Sequence, residues 1–186
     1  HLYKASAGDI QLMEDADVVF YVGLHLEGKM VEIFESLGER RRVIATSSGI
    51  DETFLLPAQI GQTGNYDPHI WFDVGLWEET VDVVRDTLIE MDPEGEDFYR
   101  KNAENYSREL MDLHQWVGEQ IKLIPQDQRV LVTAHDAFNY FGRAYGMDVR
   151  GLQGISTASD YGLKDLEEMI NLIVGQKIKA VFVESS

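Results

Sequence analysis

Residues 129–146 have the sequence RVLVTAHDAFNYFGRAYG, in which an apolar run passes directly into a helical pattern. The run RVLVTA (129–134) is rich in valine and predicts a buried strand. The segment HDAFNYFGRAYG (135–146) predicts a short helix that ends at Gly146, because glycine commonly follows the last turn of a helix. Asp136 stands before this helix and is expected to cap its first turn. The stretch therefore predicts a strand–helix unit of an α/β fold.

Similar units lie on both sides of this stretch. Upstream, DVVFYVG (17–23) and RRVIAT (41–46) predict strands with a helix between them. Downstream, MDVRGLQG predicts a strand and loop, LKDLEEMINLIVGQ a helix, and IKAVFVESS a final strand. Alternating strands and helices indicate parallel sheets with helices on their faces.

The longest periodic segment, residues 93–124, separates the two halves of the chain. Its predicted apolar stripe consists of Tyr99, Ala103, Tyr106, Leu110, Leu113, Val117, Ile121 and Ile124. A helix of roughly 30 residues is about 45 Å long, which indicates a strut between two lobes. We predict an N-terminal lobe over 1–92, a linker helix over 93–124 and a C-terminal lobe over 125–186. Each lobe has few strands, so we expect further chain before His1 and after Ser186.

Composition disfavours negatively charged partners and excludes metal sites built from cysteine. The formal net charge is −17, which disfavours nucleic acid and anionic membrane surfaces as partners because both are negatively charged. The chain has no cysteine, so a metal must be held by histidine, carboxylate or carbonyl groups. These residues contain no run of about 18 apolar residues, which is the pattern that predicts a membrane span.

The histidines are the candidate functional residues, but their spacing alone does not decide their role. His135 follows a predicted strand, where ligands of open α/β sheets gather, and His25 has a similar position. His69 lies in a loop within DPHIWFDV, and His114 lies in the long helix, where we expect it to be solvated. A lone histidine is more often structural than a ligand. The chain contains no HExxH pair and no G-x-S-x-G elbow.

Four segments in this order resemble the metal-binding solute-binding proteins of ABC transporters, of the TroA type. They are HLYKASAGDIQLMEDADVVFYVGLHLE, DPHIWFDV, VLVTAHDAFNYFGRAYG and LQGISTASD. The resemblance covers nearly all 186 residues. It implies two Rossmann-like lobes with parallel sheets, joined by one long linker helix, and a metal held in the cleft between them.

The resemblance also implies which residues bind the metal. By motif, the family's ligands match His1 of HLY, His69 of DPHIW and His135 of AHDAF. His25 and His114 match no ligand position. Imidazole nitrogen suits zinc, manganese, iron and copper. The implied cargo is Zn²⁺ or Mn²⁺.

The family's fourth ligand is usually an aspartate in a segment that these residues do not contain. We expect it to come from chain beyond Ser186, and we expect Glu184 to support the site from outside the coordination shell. Three imidazoles and a carboxylate form a closed site that stores or hands over metal. Histidine at position 135 favours zinc, whereas the absence of the long histidine-rich loop of some zinc-specific relatives weakens that preference.

The resemblance implies an extracytoplasmic binding protein, periplasmic or anchored as a lipoprotein, that delivers metal to a membrane permease. We expect a monomer that binds no nucleic acid and is not an enzyme. Two alternatives stay open at this point. One is a zinc hydrolase whose three histidines leave a position for water, and the other is an adhesion or structural module.

Overall fold

Helices and strands alternate along the chain, as the sequence predicts. The computed structural model describes residues 3–58, 64–153, 163–175, 178 and 180–183. The elements are α1 (Ala7–Asp15), β1 (Val18–Tyr21), α2 (Val31–Gly38), β2 (Arg42–Ala45), α3 (Val74–Met91), α4 (Glu96–Lys122), β3 (Val130–His135), α5 (Asn139–Tyr145), β4 (Asp148–Gln153) and α6 (Leu163–Gly175).

The strands pair in parallel on either side of α4. β1 pairs with β2, with Val18 opposite Arg42, and β3 pairs with β4, with Val130 opposite Asp148. The predicted final strand contributes a parallel bridge at Phe182, whose backbone N–H donates to the Val132 carbonyl at 2.9 Å. The predicted α/β class with parallel sheets is therefore confirmed.

Helices α3 and α4 pack against each other and are separated by a break at Asp92. Pro93–Gly95 forms a single 3-10 turn before α4, so the predicted helix begins three residues later than expected. At 27 residues, α4 is about 40 Å long. Among the described helices, none combines the length and the apolar composition of a membrane span.

The buried face of α4 differs from the predicted stripe. Leu110 is buried, but Tyr106 and Leu113 are 46% and 43% exposed. His114, which we expected to be solvated, is half-buried. Its ring centroid lies 5.2 Å from that of Tyr145 in α5, and its Nδ1 is 3.2 Å from the Tyr145 hydroxyl. His114 therefore contributes to the contact between α4 and α5.

The core that supports the site is built from both halves of the chain. Ile50, Leu55, Ile70 and Leu76, which precede α4, form a buried cluster with Tyr140 of α5. The Tyr140 side chain is fully buried. Because α5 follows β3 directly, this packing fixes the carboxyl end of β3 against the loop that precedes α3.

Candidate metal site

A buried turn at Asp67, Pro68 and His69 forms the first part of the site. The Asp67 carboxylate Oδ1 accepts hydrogen bonds from the His69 backbone N–H at 3.0 Å and from its ring Nδ1 at 2.8 Å. An aspartate that accepts from the backbone two residues later forms an Asx turn, and Pro68 restricts the backbone between them. Asp67 is fully buried and His69 is 2% exposed, so the protein interior fixes this pair.

The Asp67 contact determines which nitrogen of His69 can bind a metal. When Nδ1–H donates to a carboxylate, the neutral ring carries its lone pair on Nε2. Carboxylate–histidine pairs of this kind orient the imidazole and raise its basicity in metal sites. His69 is thus oriented as a ligand that would bind through Nε2.

Helix α5 anchors Asp67 at two further points. The Asn139 amide Nδ2 donates to Asp67 Oδ2 at 3.2 Å. The Tyr140 hydroxyl donates to the Asp67 carbonyl at 2.8 Å and accepts from the Leu56 N–H at 3.0 Å. The phenol is protonated at neutral pH and can donate this bond, and burial raises its pKa from 10.0 to about 12.

His135 forms the second part of the site, at the carboxyl end of β3, as the sequence predicts. The backbone turns sharply there, because the His135 carbonyl accepts from the Ala137 N–H at 3.0 Å and from Thr133 Oγ1 at 2.8 Å. The side chain is 8% exposed.

The imidazole rings of His69 and His135 lie next to each other. Their centroids are 5.6 Å apart, and the ring planes are inclined by 59°. Two imidazoles that bind one ion through nitrogen at about 2.0–2.1 Å have centroids roughly 5–5.5 Å apart at a tetrahedral angle. The two side chains are therefore close enough to share one metal ion after a small adjustment.

The predicted helix cap at Asp136 is wrong. Helix α5 begins at Asn139, and Phe138, with no capping side-chain bond, occupies the N-cap position. Asp136 is instead buried in the turn between β3 and α5. β4 runs directly over it, since a Cβ added at Gly151 would lie 2.7 Å from the Asp136 backbone nitrogen.

The structure also describes His25 and His114, which have other contacts. His25 occupies a loop with φ of 62° and lies against Gly64, whereas His114 contacts Tyr145. The predicted ligand His1 and the predicted supporting residue Glu184 fall outside the described residues. Within the described part of the chain, no group of three or more histidine and acidic side chains is arranged to hold a metal.

Comparison with known proteins identifies the family. A family model described as "Zinc-uptake complex component A periplasmic", ZnuA, matches residues 1–186. The chain belongs to this family. The resemblance that the sequence motifs carry is thereby confirmed.

Two curated proteins align with the whole chain. The manganese-binding lipoprotein MntA of Bacillus subtilis is 49% identical, and the zinc-binding protein TroA of Treponema pallidum is 42% identical. The chain spans 60% and 59% of their lengths. This chain also superimposes on the solved structure of the T. pallidum periplasmic zinc-binding protein TroA with a TM-score of 0.93. The superposition covers all of this chain and 66% of the TroA chain. This similarity confirms the predicted fold.

Sequence reasoning missed the residues that orient His69. The position of Asp67 two residues before His69 is the sequence signal for an Asx turn and could have identified it. Asn139 and Tyr140 lie 72 and 73 residues from Asp67 in sequence, so no local pattern could have linked them to it.

Proposed function

We propose that this protein captures a divalent transition metal, zinc or manganese, outside the cytoplasm and delivers it to the membrane permease of an ABC transporter. The observation that carries the proposal is the pair His69 and His135. Two imidazoles from distant parts of the chain lie side by side, and a buried carboxylate orients one of them.

The chemistry of this pair suits reversible binding of such a metal. Imidazole nitrogen is a ligand for zinc, and it also suits manganese when carboxylates complete the site. Both metals appear in the names of relatives that align with the whole chain. We propose His69, His135 and His1 as the protein ligands, and Glu184 as a residue that supports the site from outside the coordination shell.

We propose that the chain forms two lobes, over residues 1–92 and 125–186, with residues 93–124 as the helical linker. The parallel pair β1–β2 before α4 and the parallel pair β3–β4 after it support this division. We further propose that the protein is periplasmic or lipid-anchored, is a monomer and does not bind nucleic acid. Its net charge of −17 supports the last point and also favours the approach of cations.

We further propose that the protein binds the metal without catalysing a reaction. A metal that is fully coordinated by protein groups has no position at which to activate water. We therefore expect the zinc-loaded protein to give no turnover of an activated ester above that of free zinc. Turnover that disappears in His69→Ala would favour the hydrolase alternative.

Calorimetric titration of metal-free protein with Zn²⁺ and with Mn²⁺ tests the site. We expect His69→Ala and His135→Ala each to weaken binding at least tenfold, because each removes a ligand. His25→Asn is the matched control, since it removes an imidazole that is not proposed as a ligand and asparagine tolerates the positive φ at position 25. Equal losses in His25→Asn and His69→Ala would contradict the proposed ligand set.

A further inference from the structure

We propose that Asn139 is a positioning residue for metal binding, which holds the Asp67 carboxylate in the orientation that directs His69 toward the metal. The inference rests on the proposed metal-binding function. It adds a role for a side chain that is not itself expected to touch the metal.

The two oxygens of the Asp67 carboxylate have different partners. Oδ1 accepts from the ring and the backbone of His69, and Oδ2 accepts from the Asn139 amide. A carboxylate bonded through one oxygen can rotate about its side-chain torsion, whereas one bonded through both oxygens is held in one plane. The Asn139 bond therefore fixes the direction in which Oδ1 meets His69 Nδ1.

Asn139 is itself placed by the segment that carries His135. Only the turn at Asp136, Ala137 and Phe138 separates the end of β3 from the start of α5. The hydrogen bond from the Ala137 N–H to the His135 carbonyl tightens this turn. One short segment thus provides one proposed ligand directly and orients the other through Asp67, which fixes the two imidazoles relative to each other.

Tyr140, the neighbour of Asn139, has a different role. Its hydroxyl bonds to the backbone of Asp67 and Leu56, within a buried core cluster. Asn139 is only partly buried and bonds to the carboxylate group itself. Removal of the Asn139 amide should therefore disturb the orientation of His69 more than the stability of the fold.

The test compares Asn139→Ala, Asn139→Gln and the exposed control Asn102→Ala with wild-type protein. Zinc affinity is measured by competition with a chromophoric chelator. We expect Asn139→Ala to lower the affinity by about 10-fold or more, the range typical for residues that orient metal-binding histidines. Asn139→Gln, which keeps an amide donor, should retain more affinity than Asn139→Ala, and Asn102→Ala should match wild type.

A second measurement uses metal-free protein at pH 8. Nitrogen-15 NMR of the imidazole groups distinguishes the two neutral tautomers of His69. We expect a single tautomer with the proton on Nδ1 in wild type and a mixture in Asn139→Ala. Circular dichroism of the same samples shows whether they are folded. If Asn139→Ala does not fold, Asn139→Leu takes its place, because leucine has a similar size and branching and has no hydrogen-bond donor.

Wild-type zinc affinity and an unchanged His69 tautomer in folded Asn139→Ala would overturn the inference. The proposed function would still stand if His69→Ala and His135→Ala lost zinc in the same assay. Unchanged zinc affinity in both histidine variants would instead contradict the proposed function, whatever the result for Asn139.

Discussion

Tyr140→Phe removes one oxygen atom from the contact between α5 and the loop that carries His69. The phenol is fully buried, and it bonds to the Asp67 carbonyl at 2.8 Å and to the Leu56 N–H at 3.0 Å. Phenylalanine fills nearly the same space, so the substitution tests these two hydrogen bonds with little change in packing.

The expected loss of stability follows from those two bonds. A net intramolecular hydrogen bond contributes about 0.5–1.5 kcal/mol, and a buried group left without a partner costs about 1–3 kcal/mol. The substitution leaves a carbonyl and an N–H in a buried position. We expect the free energy of unfolding to fall by roughly 2–4 kcal/mol.

Urea unfolding at pH 8, followed by circular dichroism, measures this loss. Tyr106→Phe is the matched control, because the Tyr106 side chain is 46% exposed on α4. Its effect should stay within about 0.5 kcal/mol, as for other surface substitutions. A Tyr140→Phe variant as stable as Tyr106→Phe would refute the proposed contribution of these bonds.

Wild-type protein and Tyr140→Phe can also be compared at high pH. Burial raises the pKa of Tyr140 from 10.0 to about 12 in the folded protein. Since the folded state holds the proton more tightly, this stabilisation is fully present below pH 10 and is lost as pH rises toward 12. Its size is up to roughly 2–3 kcal/mol. The stability difference between wild type and Tyr140→Phe should therefore shrink over this interval, whereas a constant difference would contradict the assigned pKa.

Two further substitutions test the surroundings of the proposed ligands. Asp67→Asn should weaken zinc binding by about 10-fold or more, because it removes the charge that supports the His69 imidazole. Chelator competition measures this loss, with the exposed Asp112→Asn as control. Equal zinc affinities of the two variants would exclude a role for the Asp67 charge in metal binding. Gly151→Ala should lower the free energy of unfolding by about 1–3 kcal/mol, since its Cβ would lie 2.6 Å from the Asp136 Cα. Gly118→Ala is the control in the same urea experiment, because a Cβ added at Gly118 on α4 would meet no atom within 4 Å. It should raise the free energy of unfolding by about 0.5–1 kcal/mol. If Gly151→Ala were as stable as wild type, β4 would be able to move away from the turn.

The elements that the sequence predicted well are those that depend on local pattern. Gly146 ends α5 with φ of 74°, as a glycine closing a helix should. Periodic apolar residues located α4, and apolar runs located β1 and β3, because burial on one face requires these repeats.

The errors arose where distant parts of the chain meet. Sequence position alone predicts that Asp136 caps a helix, but Asp136 lies in the turn before α5, against Gly151 of β4. His114 was assigned to solvent, but it lies four residues after Leu110 and so belongs to the same helix face. The proposed ligands His69 and His135 came from the family resemblance, and only the three-dimensional structure provides the bonds from α5 that orient His69.

In the proposed site, His69 and His135 bind the same metal ion. A crystal structure of the zinc-loaded protein, with the metal located by its anomalous scattering, tests this most directly. We expect one zinc ion with a ring nitrogen of each histidine at about 2.0–2.1 Å, and Asp67 still bonded to His69 Nδ1. A zinc ion bound elsewhere, or bound to only one of these two histidines, would contradict it.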